Sequence, residues 1–337
     1  MAHLDPGAFA FVMATGIVST ALRADGSRPA SRALLLVAVV GYALLLVAYG
    51  WRLLRWRQRF LTDLVGPRGF AFLTIVAASN VLASRIVADG HVLLPAALLA
   101  FGALLWLLLG YGIPIGLIAS SRRELSLDQV NGTWFIWVVG TESVAVASAA
   151  LARLVSSPAL ADVASVLWAI GLVQYLLTAA TALARLLVRP VSPKDLIPAY
   201  WVFMGAAAIT VLAGARLLEL PPDSGLLPRP VVAGLSLIVW SFGSWLIPLL
   251  LLLGVWRHLL RRVPLRYETG WWGIVFPVGM YTVATRELGR VTGTSWLEAV
   301  GRGEVWIAAA VWLLVFAAML AGFAGAGRGE RQPRSEA

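Results

Sequence analysis

An all-α integral membrane protein, with ten transmembrane helices as five tandem helical hairpins around a central pore, is the fold class the sequence predicts. Three observations carry it. The 337 residues are 60% hydrophobic and only 13% charged, the mean hydropathy is +0.83, and long apolar windows recur along the whole chain. A soluble chain carries roughly a quarter charged residues, and a bilayer core about 30 Å thick takes roughly 20 apolar residues per helix. Windows of that kind lie at about 6–23, 32–51, 67–87, 92–119, 132–154, 159–187, 197–218, 229–256, 270–288 and 304–324. The links between them are short and hold most of the charges and turn residues, as in Arg189-Pro190-Val191-Ser192-Pro193-Lys194-Asp195 and Leu220-Pro221-Pro222-Asp223. One transmembrane domain over 1–327 is expected, followed by a short cytoplasmic tail, 328–337.

Composition also excludes. The formal net charge of +10 would suggest nucleic acid in a soluble protein, but no hydrophilic domain exists to present a binding face, so the basic excess is assigned to membrane surfaces. Cysteine is absent, which removes disulfides, thiolate nucleophiles and Cys-ligated metals. His3, His91 and His258 lie at or outside the ends of apolar runs, and the single lysine, Lys194, lies in a Pro-flanked loop. No metal, nucleotide or other cofactor is expected, and neither a P-loop nor a convergent acid/base pair points to an enzyme. No cleavable signal peptide is expected, since the first apolar run begins at Pro6 with no basic segment before it.

Orientation follows from counting Lys and Arg by side, because basic loops are retained in the cytoplasm. Of the 27, seventeen fall on the side of both termini, including Arg52 to Arg68, Arg122, Arg123, Arg185, Arg189, Lys194 and Arg257 to Arg266. A multi-pass protein of the cell membrane with both termini cytoplasmic is expected. The stretch Trp51-Arg52-Leu53-Leu54-Arg55-Trp56-Arg57-Gln58-Arg59-Phe60 mixes arginine with aromatics as a lipid-surface anchor does.

The odd-numbered helices share an entrance. Pro6-Gly-Ala-Phe9, Pro67-Arg-Gly-Phe70 and Pro198-Ala-Tyr-Trp201 place an aromatic three residues after a proline, which suits a first helical turn; Asn131-Gly-Thr-Trp134 and Thr269-Gly-Trp-Trp272 keep only the aromatic. The unit recurs five times, every 60 to 70 residues. The odd helices are also the polar ones, carrying Thr15, Ser19 and Thr20, then Ser79 and Asn80, Thr141 and Ser143, Thr210, and Thr282 and Thr285. The second and tenth helices hold no Ser, Thr or Asn. In lipid, polar faces turn inward, so five polar helices ringed by five apolar ones are expected to enclose a passage lined by Thr15, Ser19, Ser79, Asn80, Thr141, Ser143 and Thr282.

Each odd helix finishes on an arginine, Arg23, Arg85, Arg153, Arg216 and Arg286, lying 14, 15, 19, 15 and 14 residues beyond its entrance aromatic. A ring of guanidiniums at an outer vestibule would raise the local anion concentration; complementing helix C-termini and snorkelling to headgroups would use the same residues. Glu142 falls near the middle of the fifth span. A carboxylate at that depth is by default a functional-site candidate, here for proton coupling, and it is a poor neighbour for a permeating anion.

The opening Pro6-Gly-Ala-Phe-Ala-Phe-Val-Met-Ala-Thr-Gly-Ile-Val-Ser19 resembles the first-helix signature of the tellurite-resistance/dicarboxylate transporter family. Trp271-Trp-Gly-Ile-Val-Phe-Pro-Val-Gly-Met-Tyr-Thr-Val-Ala-Thr285 resembles its ninth-helix signature. That family includes plant slow-type guard-cell anion channels, a bacterial tellurite-resistance protein and a fungal malate transporter. The resemblance implies five hairpins around a pore, a homotrimer with one pore per subunit, and Phe276 projecting into the pore as its gate. Pro277, beside it, denies the helix one backbone bond and allows an irregular wall there.

Transport of a small anion, a C4-dicarboxylate or an inorganic ion, through a pore gated by Phe276 is therefore the leading expectation. A proton-coupled carboxylate symporter using Glu142 is the alternative, and a membrane-embedded cofactor subunit or a sensor is a remote third. The implied partners are the anion, the lipid bilayer and further copies of the chain.

Overall fold

The computed structural model describes residues 4–119 and 127–329. His3, Arg122, Arg123 and the tail from residue 330 onward lie outside the described residues, and of Arg328 only the backbone is described. Among the described residues the regular structure is helical: α1 (Ala10–Ala24), α2 (Arg28–Arg55), α3 (Arg57–Leu64), α4 (Thr74–Val87), α5 (Leu93–Ala119), α6 (Phe135–Val155), α7 (Pro158–Val188), α8 (Val202–Leu218), α9 (Arg229–Val255), α10 (Trp272–Thr292), α11 (Ser295–Gly303) and α12 (Val305–Gly329). Among the described residues, eight helical segments are long and apolar enough to cross a membrane: Arg28–Arg55, Gly69–Val87, Leu93–Ala119, Gly132–Val155, Pro158–Val188, Pro198–Leu218, Arg229–Leu260 and Ser295–Phe323. The apolar α1 is shorter, and α10, of 21 residues, carries Arg286, Glu287 and Arg290 in its second half.

Burial separates the helices into two groups. α1 packs on α4, α4 on α6, α6 on α8, α8 on α10, and α10 back on α1, so five helices close a ring. Most residues of these five are buried. α2, α5, α7, α9 and α12 lie around them and expose leucine-rich faces, for example Leu36 and Leu44, Leu104 and Leu108, Leu176 and Leu177, Leu251 and Leu252, and Leu313 and Leu314. Small residues permit the close approaches inside: a Cβ on Gly205 of α8 would come within 2.7 Å of the Pro277 ring on α10.

The ring helices enter through tight turns. Three-residue-per-turn segments span Gly69–Leu73, Gly132–Trp134, Pro198–Trp201 and Thr269–Trp271, the geometry that commonly starts an α-helix. Proline occupies the first turn itself only at Pro198 among these; Pro67 lies two residues before its turn. Neighbouring entrances are locked to each other. Phe70 packs on Trp134 and Trp137, each at 5.3 Å between ring centroids, and Gly132 lies so close to the Ala199 backbone that a Cβ would meet its carbonyl at 2.3 Å. The far ends of α6 and α10 stop on left-handed residues, Ser156 (φ 51°) and Gly293 (φ 70°).

Two short helices were not expected. α3 follows α2 directly and returns Asp63 to Arg52, whose buried side chain also lies over the Phe60 ring. Arg52 is therefore a structural ion-pair partner inside the expected surface anchor. α11 docks on α10 by backbone contact, with Gly289 against Glu298 and Gly301 against Arg286; a Cβ at these glycines would meet backbone nitrogen at 2.3 and 2.4 Å.

Candidate functional site

Inside the ring a cavity of about 460 Å³ opens at the far end of the ring helices, lined from all five: Ile17 and Thr20 of α1, Asn80, Val81 and Ser84 of α4, Ser143, Val146 and Arg153 of α6, Ile209, Leu212 and Arg216 of α8, and Met280 of α10. The wall is apolar with a few hydroxyls and one amide. Asn80 Nδ2 donates to Val76 O (3.0 Å) and to Ser143 Oγ (3.2 Å), and its buried Oδ1 has no hydrogen-bond partner among the described residues. Phe276 lies one helical turn before Met280, hence on the same face of α10, and is fully buried.

Of the seven residues expected to line a passage, Asn80 and Ser143 touch the cavity. Thr15, Ser19, Ser79 and Thr141 bond away from it. The Trp312 indole N–H donates to Thr15 Oγ1 (3.0 Å), the Trp106 indole to Thr141 Oγ1 (2.9 Å), and Tyr42 shares a hydrogen bond with Ser79 (2.7 Å). Ser19 bonds Ser31 of α2 and accepts from Arg85. Thr282 is buried and spends its hydroxyl on Val278 O. These bonds have a physical cause: buried indole N–H and phenol O–H groups need acceptors, and the ring helices supply them. The same bond recurs with Trp168 on Thr210 O (2.9 Å) and Trp240 on Thr285 Oγ1 (3.0 Å). Each ring helix thus receives one aromatic donor or partner from the outer helix that precedes it, α12 preceding α1.

Glu142 is fully buried and points at α7, where Gly171 makes room for it; a Cβ there would lie 2.4 Å from Oε1. The Thr210 side chain of α8 lies beside the carboxyl, but neither carboxyl oxygen has a hydrogen-bond partner among the described residues. Glu142 is not among the residues that line the cavity.

The five arginines do not form an unpaired ring. Arg85, fully buried, bonds Asp89 (2.7 Å), Ser19 and Ser31, while Arg23 reaches the same Asp89. Burial alone would raise the Asp89 carboxyl, but the hydrogen bond and charge of Arg85, with the charges of Arg23 and Arg32, outweigh it and hold that carboxyl below its ordinary value. Arg153 and Arg216 share Glu219 at 3.3 and 2.8 Å, with Arg290 as a third partner. Arg286 lies against the Gly301 backbone and leaves one buried nitrogen unpartnered among the described residues. The sequence signal for the acids Asp89, Glu219 and Glu287 is their spacing from arginine: Asp89 follows Arg85 by four residues, Glu219 follows Arg216 by three, and Glu287 precedes Arg290 by three. Thr20, Ser84 and Met280 also line the cavity; polarity alone does not show which helical face a residue occupies.

Residues 3–320 match the family model described as voltage-dependent anion channel, SLAC1. An uncharacterised membrane protein of Mycobacterium tuberculosis is 46% identical over 147 residues, covering 43% of this chain and 75% of that protein. An uncharacterised transporter of Methanocaldococcus jannaschii is 24% identical over 330 residues, 92% of this chain and 90% of its own length. A sulfite efflux pump, SSU1, of Arthroderma otae is 30% identical over 104 residues, 30% of this chain and 26% of that protein. With a match over nearly its whole length, this chain belongs to the voltage-dependent anion channel family.

Proposed function

We propose that this protein carries small anions across the cell membrane through the centre of the five-helix ring. Ten spans, paired as five hairpins with both termini cytoplasmic, make up the transporting unit, and three copies associate, each with its own pathway. The observation that carries the reading is the cavity itself: it is lined by all five ring helices, its inner wall is neutral and largely apolar, and it has Arg153 and Arg216 at its mouth. The two guanidiniums at the mouth favour an anion and a neutral wall does not trap it, and conduction needs binding weak enough to leave.

Phe276, with Pro277 wedged on Gly205, is the constriction beneath the cavity. A fully buried ring on the face of Met280 closes the path towards the entrance turns, and movement of that ring opens it. Inorganic anions and C4-dicarboxylates are the proposed cargo; the sulfite efflux pump of Arthroderma supports the first. The family's members are transporters and channels, which fits a protein with no catalytic chemistry of its own. Anion flux in proteoliposomes tests the reading: wild type moves chloride or sulfite, Phe276→Ala moves more, and a folded wild type that moves neither refutes it.

One observation favours a second reading, proton-coupled carboxylate symport. Glu142 is buried with no cation paired to it among the described residues, and such a carboxyl is expensive to keep as an anion. Proton uptake there is the coupling step in that reading.

A further inference from the structure

We propose that Arg153, Arg216 and Arg290 form an oxyanion-binding site at the cavity mouth, and that the Glu219 carboxylate is its resident competitor, displaced when an anion enters. The inference rests on the anion-transport reading and adds to it a site and a means of restraint.

Glu219 is the residue immediately after α8, and its side chain is only 5% exposed. Arg216 Nη1 donates to both of its oxygens (2.9 and 2.8 Å), Arg153 Nη1 donates at 3.3 Å, and Arg290 Nη2 donates to Oε1. One carboxylate thus gathers guanidiniums from three ring helices, α6, α8 and α10. Arg153, Arg216 and Glu219 all line the cavity, so an anion using that mouth passes them. Planar guanidiniums match a group with two adjacent oxygens, such as a carboxylate or sulfite, better than a spherical halide.

The site is built for exchange. Arg153 and Arg290 are 59% and 46% exposed, so an arriving anion reaches them before Glu219 moves. The backbone on both sides of Glu219 is fixed separately, since Arg229 donates to Leu218 O (2.5 Å) and Leu220 O (3.0 Å). Only the side chain depends on the three arginines, and displacement is a side-chain rotation rather than a loop opening. Glu287 contacts Arg216 (3.7 Å) and Arg290 (2.8 Å), so three cations face two carboxylates. The cluster holds a net charge of +1 at rest and +2 once Glu219 leaves.

Sodium sulfite is the probe, with chloride for comparison, on purified protein by calorimetric titration and on the same protein in vesicles by flux. Glu219→Gln should lower the half-saturating sulfite concentration roughly threefold to fivefold, the scale of one partly exposed ion-pair partner, and change chloride less. Arg290→Gln should raise it. If Glu219→Gln does not fold, Glu219→Asp is read the same way, because the shorter arm cannot reach all three guanidiniums. A folded variant with half-saturation unchanged or raised overturns the proposal. Tighter sulfite binding in the variant with no wild-type flux rejects the transport reading alone; wild-type flux with unchanged binding rejects this inference alone.

Discussion

Asp89 joins the ends of two ring helices through one carboxylate, taking Arg85 from its own helix and Arg23 from α1. Its carboxyl is held below its ordinary value of 3.8, so its contribution to stability is complete above that pH and is lost as pH falls through the lowered value. Wild type should lose thermal stability as pH falls below that ordinary value, and Asp89→Asn should flatten the loss. At neutral pH the same variant leaves Arg85 buried without its partner and should cost about 1–3 kcal/mol, read as a lower midpoint of unfolding in detergent. An unchanged midpoint with an unchanged acid limb would reject the pair as structural. Phe276→Ala, at the other end of the cavity, should raise flux several-fold with expression unchanged; equal or lower flux would remove Phe276 as the constriction. Arg85 was legible in the sequence as a helix-terminal cation, and the depth of Phe276 in its helix followed from the apolar run around it. The direction of Glu142 was not, because a side chain's azimuth on a buried helix depends on which neighbour offers a glycine, here Gly171.

The recurring contact between helices is a donor or hydroxyl from an outer aromatic onto a ring helix: Tyr42 on Ser79, Trp106 on Thr141, Trp168 on Thr210 O, Trp240 on Thr285 and Trp312 on Thr15. Trp106→Phe keeps an aromatic ring but removes the donor and part of the indole's bulk, and should cost at least about 1 kcal/mol; Trp106→Phe combined with Thr141→Val should cost less than the sum of the two singles, because both remove the same bond. Additive costs would mean the bond contributes nothing. At the entrances, Gly132→Ala drives a Cβ into the Ala199 backbone at 2.3 Å and should lower the melting temperature or the yield of folded protein, whereas Gly112→Ala on α5, with nothing within 4 Å of the added atom, should be tolerated. The long helices were legible because length and hydropathy alone specify them. α3 and α11 were not: each is too short to cross a membrane, and α11 is held by the backbone approaches at Gly289 and Gly301, which leave no apolar run to read. The aromatic donors stood in the sequence at steps of about one repeat, but hydroxyls on the polar helices read equally well as passage-lining until their partners were known.

At the scale of the molecule, closure of the ring by α10 on α1 turns a linear repeat into an enclosure, and brings the Arg23–Asp89 pair and the Glu219 cluster to one end of it. The entrance turns lie at the other end, with the basic segments Arg55–Arg59 and Arg257–Arg266. The chain has no cysteine, so single cysteines report topology cleanly: one at Lys194 should react with an impermeant reagent only from the cytoplasmic side, and one at Asp223 only from outside. Reaction of both from the same side would overturn the proposed orientation. The central claim, that the ring conducts anions, is tested most directly by imposing a sulfite or chloride gradient on proteoliposomes and recording current and internal pH together, for wild type and Glu142→Gln. Anion current without proton movement, indifferent to Glu142→Gln, is the predicted result; no anion movement by a folded protein would contradict the account, and proton movement locked to anion uptake and abolished by Glu142→Gln would replace conduction with symport.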